Sequence, residues 1–285
     1  MMPPLVSVLM TAYNREKYIG EAIESVLASS YSNFEFIIVD DCSSDNTVAI
    51  ARKYEASNRR IKVYCNASNL GQFGNRNKAA SYAKGEFLKY VDSDDLIYPY
   101  TLQVMVDGMQ QYPEAALGFC VTNEIIEDTL PCQINSPTAI RKHYLKGGLL
   151  FVGPSGLLIK RSAFESVNGF QEFGMPSDNH LSLKIACRFP VVAMSKNLFW
   201  WRQHKQQVFS ENKGNYSNIL NNYQFSKDII SNYSPLAVSE NRIIRNNLKK
   251  IFFSHIFRLI FKKVKPGVAL KLLIQFAKVN SLKDI

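Results

Sequence analysis

Residues 92–95, Asp-Ser-Asp-Asp, put three carboxylates within four positions, directly after an apolar run containing Phe87, Leu88, Tyr90 and Val91. Like charges this close repel and raise one another's pKa unless a cation lies among them. One reading is an exposed turn leading into a helix, where Asp is favoured by capping and by the helix dipole. The other is chemical. Together with Asp40 and Asp41, at the end of another apolar run, they form an oxygen-rich set suited to a hard divalent cation such as Mg2+ or Mn2+. Such an ion binds through one or two carboxylates and completes its shell with substrate phosphates. A nucleoside diphosphate derivative is the substrate class that follows.

The elements that must hold these acids are legible in the first 120 residues. The segments 6–10, 34–40, 61–65, 87–92 and 116–120 are brief, rich in Val, Ile and aromatics, and bounded by turn residues, as strands are. Between them, apolar positions recur at three- and four-residue spacing, as in "EKYIGEAIESVLASS" and "PYTLQVMVDGMQQY". Strand and helix in alternation imply crossover units and a mainly parallel sheet flanked by helices. Ligands of such a sheet bind outside the carboxyl ends of its strands. "TAYN", "DDCSSDNT" and "DSDD" stand at three of those ends. In the second, Ser44 or Asp45 serves as a helix cap, a job that Asp40 and Asp41 do not share. From 121 to 150 the pattern weakens, with Pro131, Pro137 and a Gly pair marking loops. Strand, short helix and turn return over 153–170, a capped helix runs from "PSDN" to Pro190, and "VVAM" and "LFWW" are strand-like.

Composition narrows the function. Among 285 residues the five cysteines are scattered and form no CxxC or metal-ligand spacing, which suits a reduced, cytoplasmic setting. The apolar run at the N-terminus has no basic flank and is too short for a signal peptide or a membrane span. Neither GxGxxG nor a phosphate-binding GxxxxGK[ST] follows the first strand, which argues against dehydrogenases and P-loop NTPases. The formal charge of +10 resides in the tail, where eleven Lys and Arg from Arg242 onward face only Asp284. A neutral body with a basic tail argues against a nucleic-acid groove across the fold and toward an anionic surface met by the tail.

The ordered motifs "VSVLMTAYNREKYIGEAIESVLASSYSNFEFIIVDDCSSDNT" and "NLGQFGNRNKAASYAKGEFLKYVDSDD" resemble the family 2 glycosyltransferases of GT-A fold, the Rossmann-like nucleotide-diphospho-sugar transferases. The resemblance covers residues 5 to about 115 and continues more loosely to about 205. It implies non-processive, inverting transfer of one sugar, expected to come from a UDP-sugar, to an acceptor hydroxyl, with a metal ion (Mn2+ or Mg2+) and a saccharide or lipid-linked saccharide acceptor. Residue by residue, it implies that Asp92 and Ser93 face the ribose and donor sugar and that Asp94, or Asp95, binds the metal. Thr11, Ala12 and Tyr13 would line the nucleotide and Asp41 would meet a base edge. Arg76 and Asn77 match the family's "ARN" position, with Asn75 replacing its small residue. The acceptor-side base falls on Asp178, where Ser177 replaces the family's usual Glu; the alternative for "PSDN" is a helix cap. "WWRQH" resembles the family's Arg-x-His segment and would put His204 on the metal and Arg202 on the diphosphate, the alternative being a solvent-facing loop. The QxxRW and membrane spans of processive synthases are absent from the sequence.

The expected organisation is a glycosyltransferase domain over 1–205 and a helical, basic, amphipathic extension over 206–285. In the tail, Leu248, Ile251, Phe252, Ile256, Leu259 and Ile260 share one helical face, with Lys249, Lys250, Arg258 and Lys262 off it. That pattern fits a helix lying in a membrane interface, and hence a peripheral protein on the inner face of the cell membrane; a helix packed on its own domain or on a partner subunit is the alternative. Two rival functions remain from the residues alone: a nucleotidyltransferase, which should show a Gly- and basic-rich loop where "TAYNREKY" stands, and a non-catalytic membrane- or nucleic-acid-binding module driven by the tail.

Overall fold

The computed structural model describes residues 2–122, 126–173, 177–204 and 216–281. Strands β1 (Val6–Ala12), β2 (Phe34–Asp40), β3 (Ile61–Cys65) and β4 (Phe87–Tyr90) alternate with helices α1 (Ile19–Leu27), α2 (Thr47–Ser57) and α3 (Gly71–Ser81). There follow β5 (Leu96–Ile97), α4 (Thr101–Gln111), β6 (Leu117–Cys120), β7 (Cys132–Ile134), α5 (Ser136–Lys142), β8 (Leu157–Lys160), α6 (Arg161–Ser166), α7 (Ser177–Arg188), β9 (Val191–Met194) and β10 (Phe199–Trp200). The chain closes with α8 (Ser217–Asn232), α9 (Val238–Phe261) and α10 (Pro266–Ser281).

Eight strands form one sheet in the order β3-β2-β1-β4-β8-β6-β9-β7. The first four are parallel, and β8 enters antiparallel between β4 and β6. This is the mainly parallel GT-A sheet with helices on both faces. Successive residues of β1 explain the layering: Val6, Val8 and Met10 point into the core under α1, α2 and α4, while Leu9 points into the core shared by α3, α5, α6 and α7. A strand buried on both faces reads as a continuous apolar run, which is why "VSVLM" and "FEFIIVD" were visible as strands.

Three features of the connectivity set up the cleft. Ala12 pairs with Asp40 and Leu9 with Tyr90, so the carboxyl ends of β1, β2 and β4 lie at one edge. Because β8 runs the other way, its preceding residues Pro154, Ser155 and Gly156 come to that same edge. A two-stranded ribbon of β5 and β10, with Leu96 opposite Trp200, then lays residues 201–204 beside the acids of 92–95. The span 121–150, expected as loops, holds β7 and α5. Pro137 sits in the first turn of α5, where a missing N–H costs nothing, and the Asn135 side chain caps it by accepting from Thr138 N at 2.9 Å.

The expected domain boundary at 205/206 lies outside the described residues. Packing on its far side is continuous with the body, since Phe225, Ile229, Ile230, Leu236 and Ile244 belong to the same buried cluster as α7 and the sheet. His180 Nε2 of α7 lies 2.9 Å from Asp228 Oδ2 of α8. The tail face expected to be presented outward is turned inward instead. Phe252, Ile256 and Leu259 are buried against Leu220 and Tyr223 of α8 and Ala269 and Leu272 of α10, whereas Ile251 of that set is exposed. Packing of α9 against α8 and α10 covers the stripe that periodicity alone leaves open.

Candidate active site

The edge where β1, β2 and β4 end is the floor of a cleft of about 710 Å3, a size suited to a nucleotide-sized ligand. Thr11, Ala12, Tyr13, Asp41, Arg76, Asp92, Ser93, Asp94, Asp95 and Asp178 all line it. Asn77, Arg202 and His204 do not appear on its wall.

At one end, the Asp41 backbone N–H donates to Ala12 O at 2.8 Å, continuing the pairing of β1 and β2 past the strands. Its Oδ1 accepts from Asn66 Nδ2 and from Leu70 N, each at 2.8 Å. Asn66 also donates to Asn75 Oδ1 at 3.0 Å, and Asn75 to Val39 O at 3.0 Å. These bonds orient the carboxylate toward the cleft. Asp40 has another job: its oxygens accept from Ser43 N at 2.8 Å and Ser43 Oγ at 2.5 Å, building the turn after β2. Asp45 accepts from Thr47 N at 3.0 Å at the start of α2.

At the centre is Arg76, whose side chain is almost wholly buried. One arm, Nη1, reaches Asp178 Oδ1 at 2.5 Å and the other, Nη2, reaches Asp92 Oδ1 at 2.8 Å. The guanidinium fork thus joins an acid from the end of β4 to an acid in the first turn of α7. Tyr90 Oη donates to Arg76 O at 3.0 Å, and Gln72, with its amide oxygen turned to the guanidinium, accepts from both arms at 3.2 and 3.1 Å. Burial raises the Asp178 carboxyl above the ordinary carboxylate range, against the pull of Arg76. Arg76 is itself driven strongly toward the charged form, its burial outweighed by Asp178 and Asp92. Asn77, next in sequence, instead clasps the chain ahead of α7: its Oδ1 accepts from Phe170 N and its Nδ2 donates to Phe170 O, each at 2.9 Å. The preceding Gly169 has φ +59°, and a Cβ there would stand 2.5 Å from Asn77 Oδ1.

At the other end, Asp94 Oδ2 is 3.0 Å from both Arg15 Nε and His204 Nε2. A carboxylate oxygen and an imidazole nitrogen converging on one point are an acceptable donor pair for Mn2+ or Mg2+ when diphosphate oxygens complete the shell. Among the described residues no three potential ligands cluster, so any ion there depends on the substrate. Asp95 is differently placed. Oδ2 accepts from Ser155 Oγ at 2.9 Å and Oδ1 from Arg202 N at 3.2 Å, so both its oxygens are engaged by protein. Burial, with the Asp92 charge adding to it, lifts its carboxyl to about 8. Behind the acids lies fully buried Lys89, bonded to Ser155 O and pushed down to about 8 by burial. The Arg202 guanidinium stacks over Trp200 and Tyr18 and pairs with Glu21 at 2.6 Å. It lines a shallow depression with Tyr18, Trp201 and His204 that adjoins the main cleft, Trp201 lining both.

The cleft at the carboxyl edge of this sheet thus gathers acids from the ends of β2 and β4 and from the first turn of α7. This chain belongs to glycosyl transferase family 2, whose model matches residues 7–167. TuaG of Bacillus subtilis, named for teichuronic acid biosynthesis, is 45% identical over 139 residues, 48% of this chain and 55% of TuaG. WfgD of Escherichia coli, a UDP-Glc:alpha-D-GlcNAc-diphosphoundecaprenol beta-1,3-glucosyltransferase, is 41% identical over 105 residues, 37% of this chain and 41% of WfgD. The match therefore spans about half of these relatives or less. The S. aureus TarS 1-349 structure with UDP-GlcNAc superposes with a TM-score of 0.74 at 21% identity, over 96% of this chain and 81% of that one, and establishes the shared fold.

Proposed function

We propose that this protein transfers one sugar from a UDP-sugar to an acceptor hydroxyl with inversion, building a cell-surface polysaccharide or glycolipid. The observation that carries the reading is the Arg76 fork, which holds Asp92 and Asp178 on one guanidinium across a single cleft. Thr11, Ala12, Tyr13 and Asp41 bind the nucleoside, with Asp41 on the base edge. Asp92 and Ser93 hold the ribose and donor sugar. Asp178, its Oδ1 fixed by Arg76, offers Oδ2 to the acceptor hydroxyl and takes its proton as the oxygen attacks the anomeric carbon from the face opposite the diphosphate. A carboxyl raised by burial is better matched to that task near neutral pH than an ordinary one. Asp94 and His204 would hold a divalent cation, which supplies neutralisation of the charge growing on the departing diphosphate. Arg15, on the cleft wall beside Asp94, adds positive charge there.

Support for the UDP-sugar comes from the ligand in the TarS structure and from the name of WfgD, and support for a lipid-linked saccharide acceptor from the latter. The test is transfer from a panel of UDP-sugars to a diphosphopolyprenyl saccharide in Mn2+, with the anomeric configuration of the product read by NMR. Inverted product, loss of turnover in chelator, and a fall of about a hundredfold or more in Asp94→Asn are expected. Retained configuration overturns the mechanism, and full turnover in chelator overturns the metal role.

A further inference from the structure

We infer that the outer face of the α9–α10 helix pair docks on an anionic lipid membrane, through a surface different from the stripe that the sequence suggested. With Phe252, Ile256 and Leu259 turned inward, the opposite side of α9 carries Phe253, Phe257 and Phe261, which are 47%, 58% and 66% exposed. Four-residue spacing stacks them along one face, and the Phe257 and Phe261 rings lie 4.5 Å apart. The Phe253 ring meets Phe276 of α10 at 5.3 Å, and the apolar surface continues over exposed Leu270 and Ile274, with Val264 exposed in the connection. An apolar surface of this extent on an otherwise folded chain marks an interaction site.

Charge selects the occupant. Between 238 and 281 the sequence holds ten Lys and Arg and one acid, Glu240. Lys249, Lys250, Arg258 and Lys262 are exposed on α9 and its end, while Lys263 and Lys265, also exposed, stand over the Tyr216 ring. A second copy of the chain would bring this cationic face against itself, a like-charge contact that self-association would have to overcome. An anionic bilayer meets both demands: acyl chains take the phenylalanines and headgroups take the lysines, as for a helix lying in the interface plane. None of the helices among the described residues is long and apolar enough to cross a membrane, so the attachment is to one surface.

The inference stands apart from the transfer reaction and is tested without donor, by co-sedimentation of the full chain with phosphatidylcholine vesicles and with vesicles containing phosphatidylglycerol. Binding should favour the anionic vesicles by about tenfold or more and weaken with salt as headgroup attraction is screened. The triple variant Phe253→Ser, Phe257→Ser, Phe261→Ser removes only exposed rings, so its circular dichroism should match wild type while vesicle binding falls at least about tenfold. A second variant, Lys249→Glu with Lys250→Glu and Lys262→Glu, should lose roughly fivefold or more per position. No binding of the wild-type chain to anionic vesicles at low salt overturns the inference. So does wild-type binding by the folded triple-serine variant, or a wild-type dimer that this variant dissolves.

Discussion

Arg76 and Asp178 are 102 residues apart in the chain, yet their side chains meet at 2.5 Å, and the same guanidinium holds Asp92 at 2.8 Å. The fork fixes the distance between the end of β4 and the first turn of α7. Lysine is a point charge without two planar arms, so Arg76→Lys can satisfy one acid and strands the other. We expect turnover to fall by about two orders of magnitude, as when a preorganised group is lost. Arg76→Met, which leaves two acids unpaired, should in addition cost about 3–5 kcal/mol of stability. Unfolding curves and initial rates of both variants check this, and an active Arg76→Met would show the fork to be dispensable.

Asp178→Asn keeps the size of the side chain while removing its basicity. Donor affinity measured by calorimetry should stay near wild type while transfer drops by roughly 10²- to 10⁴-fold, the range for loss of a general base. Unchanged transfer would leave Asp178 as a helix-start residue only, and lost donor binding would place it on the nucleotide side.

Asp95 gives the fold a pH dependence of defined sign. Its folded value, about 8, lies above that of an unfolded Asp near 3.9. The stability it contributes is therefore fully present below the unfolded value and is lost as pH rises toward 8. In chelator, stability relative to Asp95→Asn should fall by about 3 kcal/mol from pH 5 to pH 7.5, at about 1.4 kcal/mol per pH unit. Lys89, also near 8, titrates above that window. His143, held near 3 by burial, pulls the other way below pH 6.5, so the check is the difference between wild type and Asp95→Asn, and the same pH dependence in both would contradict the buried, protonated carboxyl.

Asn77 separates a structural role from the ligand role its motif suggested. Since both ends of its amide are spent on Phe170, Asn77→Ala should destabilise the fold by about 1–3 kcal/mol with little change in donor affinity. A large loss of donor affinity at unchanged melting temperature would put Asn77 back in the cleft.

Much of this was legible in the residues, for stated reasons. The continuous Val- and Ile-rich runs could only be strands buried on both faces, and three clustered acids at a strand end could only be reconciled by capping or by a cation. β7 and α5 were hidden because Pro131 and Pro137 read as breakers, although Pro137 opens a helix. Lys89 and Ser155 carried no signal, because the antiparallel entry of β8 brings Ser155 to Lys89 and the acids, and such pairings are invisible to local pattern. Arg202 stands at the expected place in sequence, and the β5–β10 ribbon sets its guanidinium against Tyr18, Trp200 and Glu21 with Nε donating to Asp94 O at 3.0 Å. In α9, Phe and Ile occur on both sides of the helix, so periodicity could not choose the buried one.

The seating of Phe225, Ile229 and Ile230 against α7 also sets an order of events during synthesis. Arg76 and Asp92 leave the ribosome together, with no partner yet for the second arm of the fork, and Asp178 follows later on a helix whose side toward α8 is still bare. Only when the chain has emerged to about Ile244 can that side be covered. Domains fold as their segments emerge, and exposed apolar surface on a partial chain invites aggregation. A nascent chain stalled or cut near residue 205 should therefore be a sticky intermediate for chaperones rather than a smaller working enzyme.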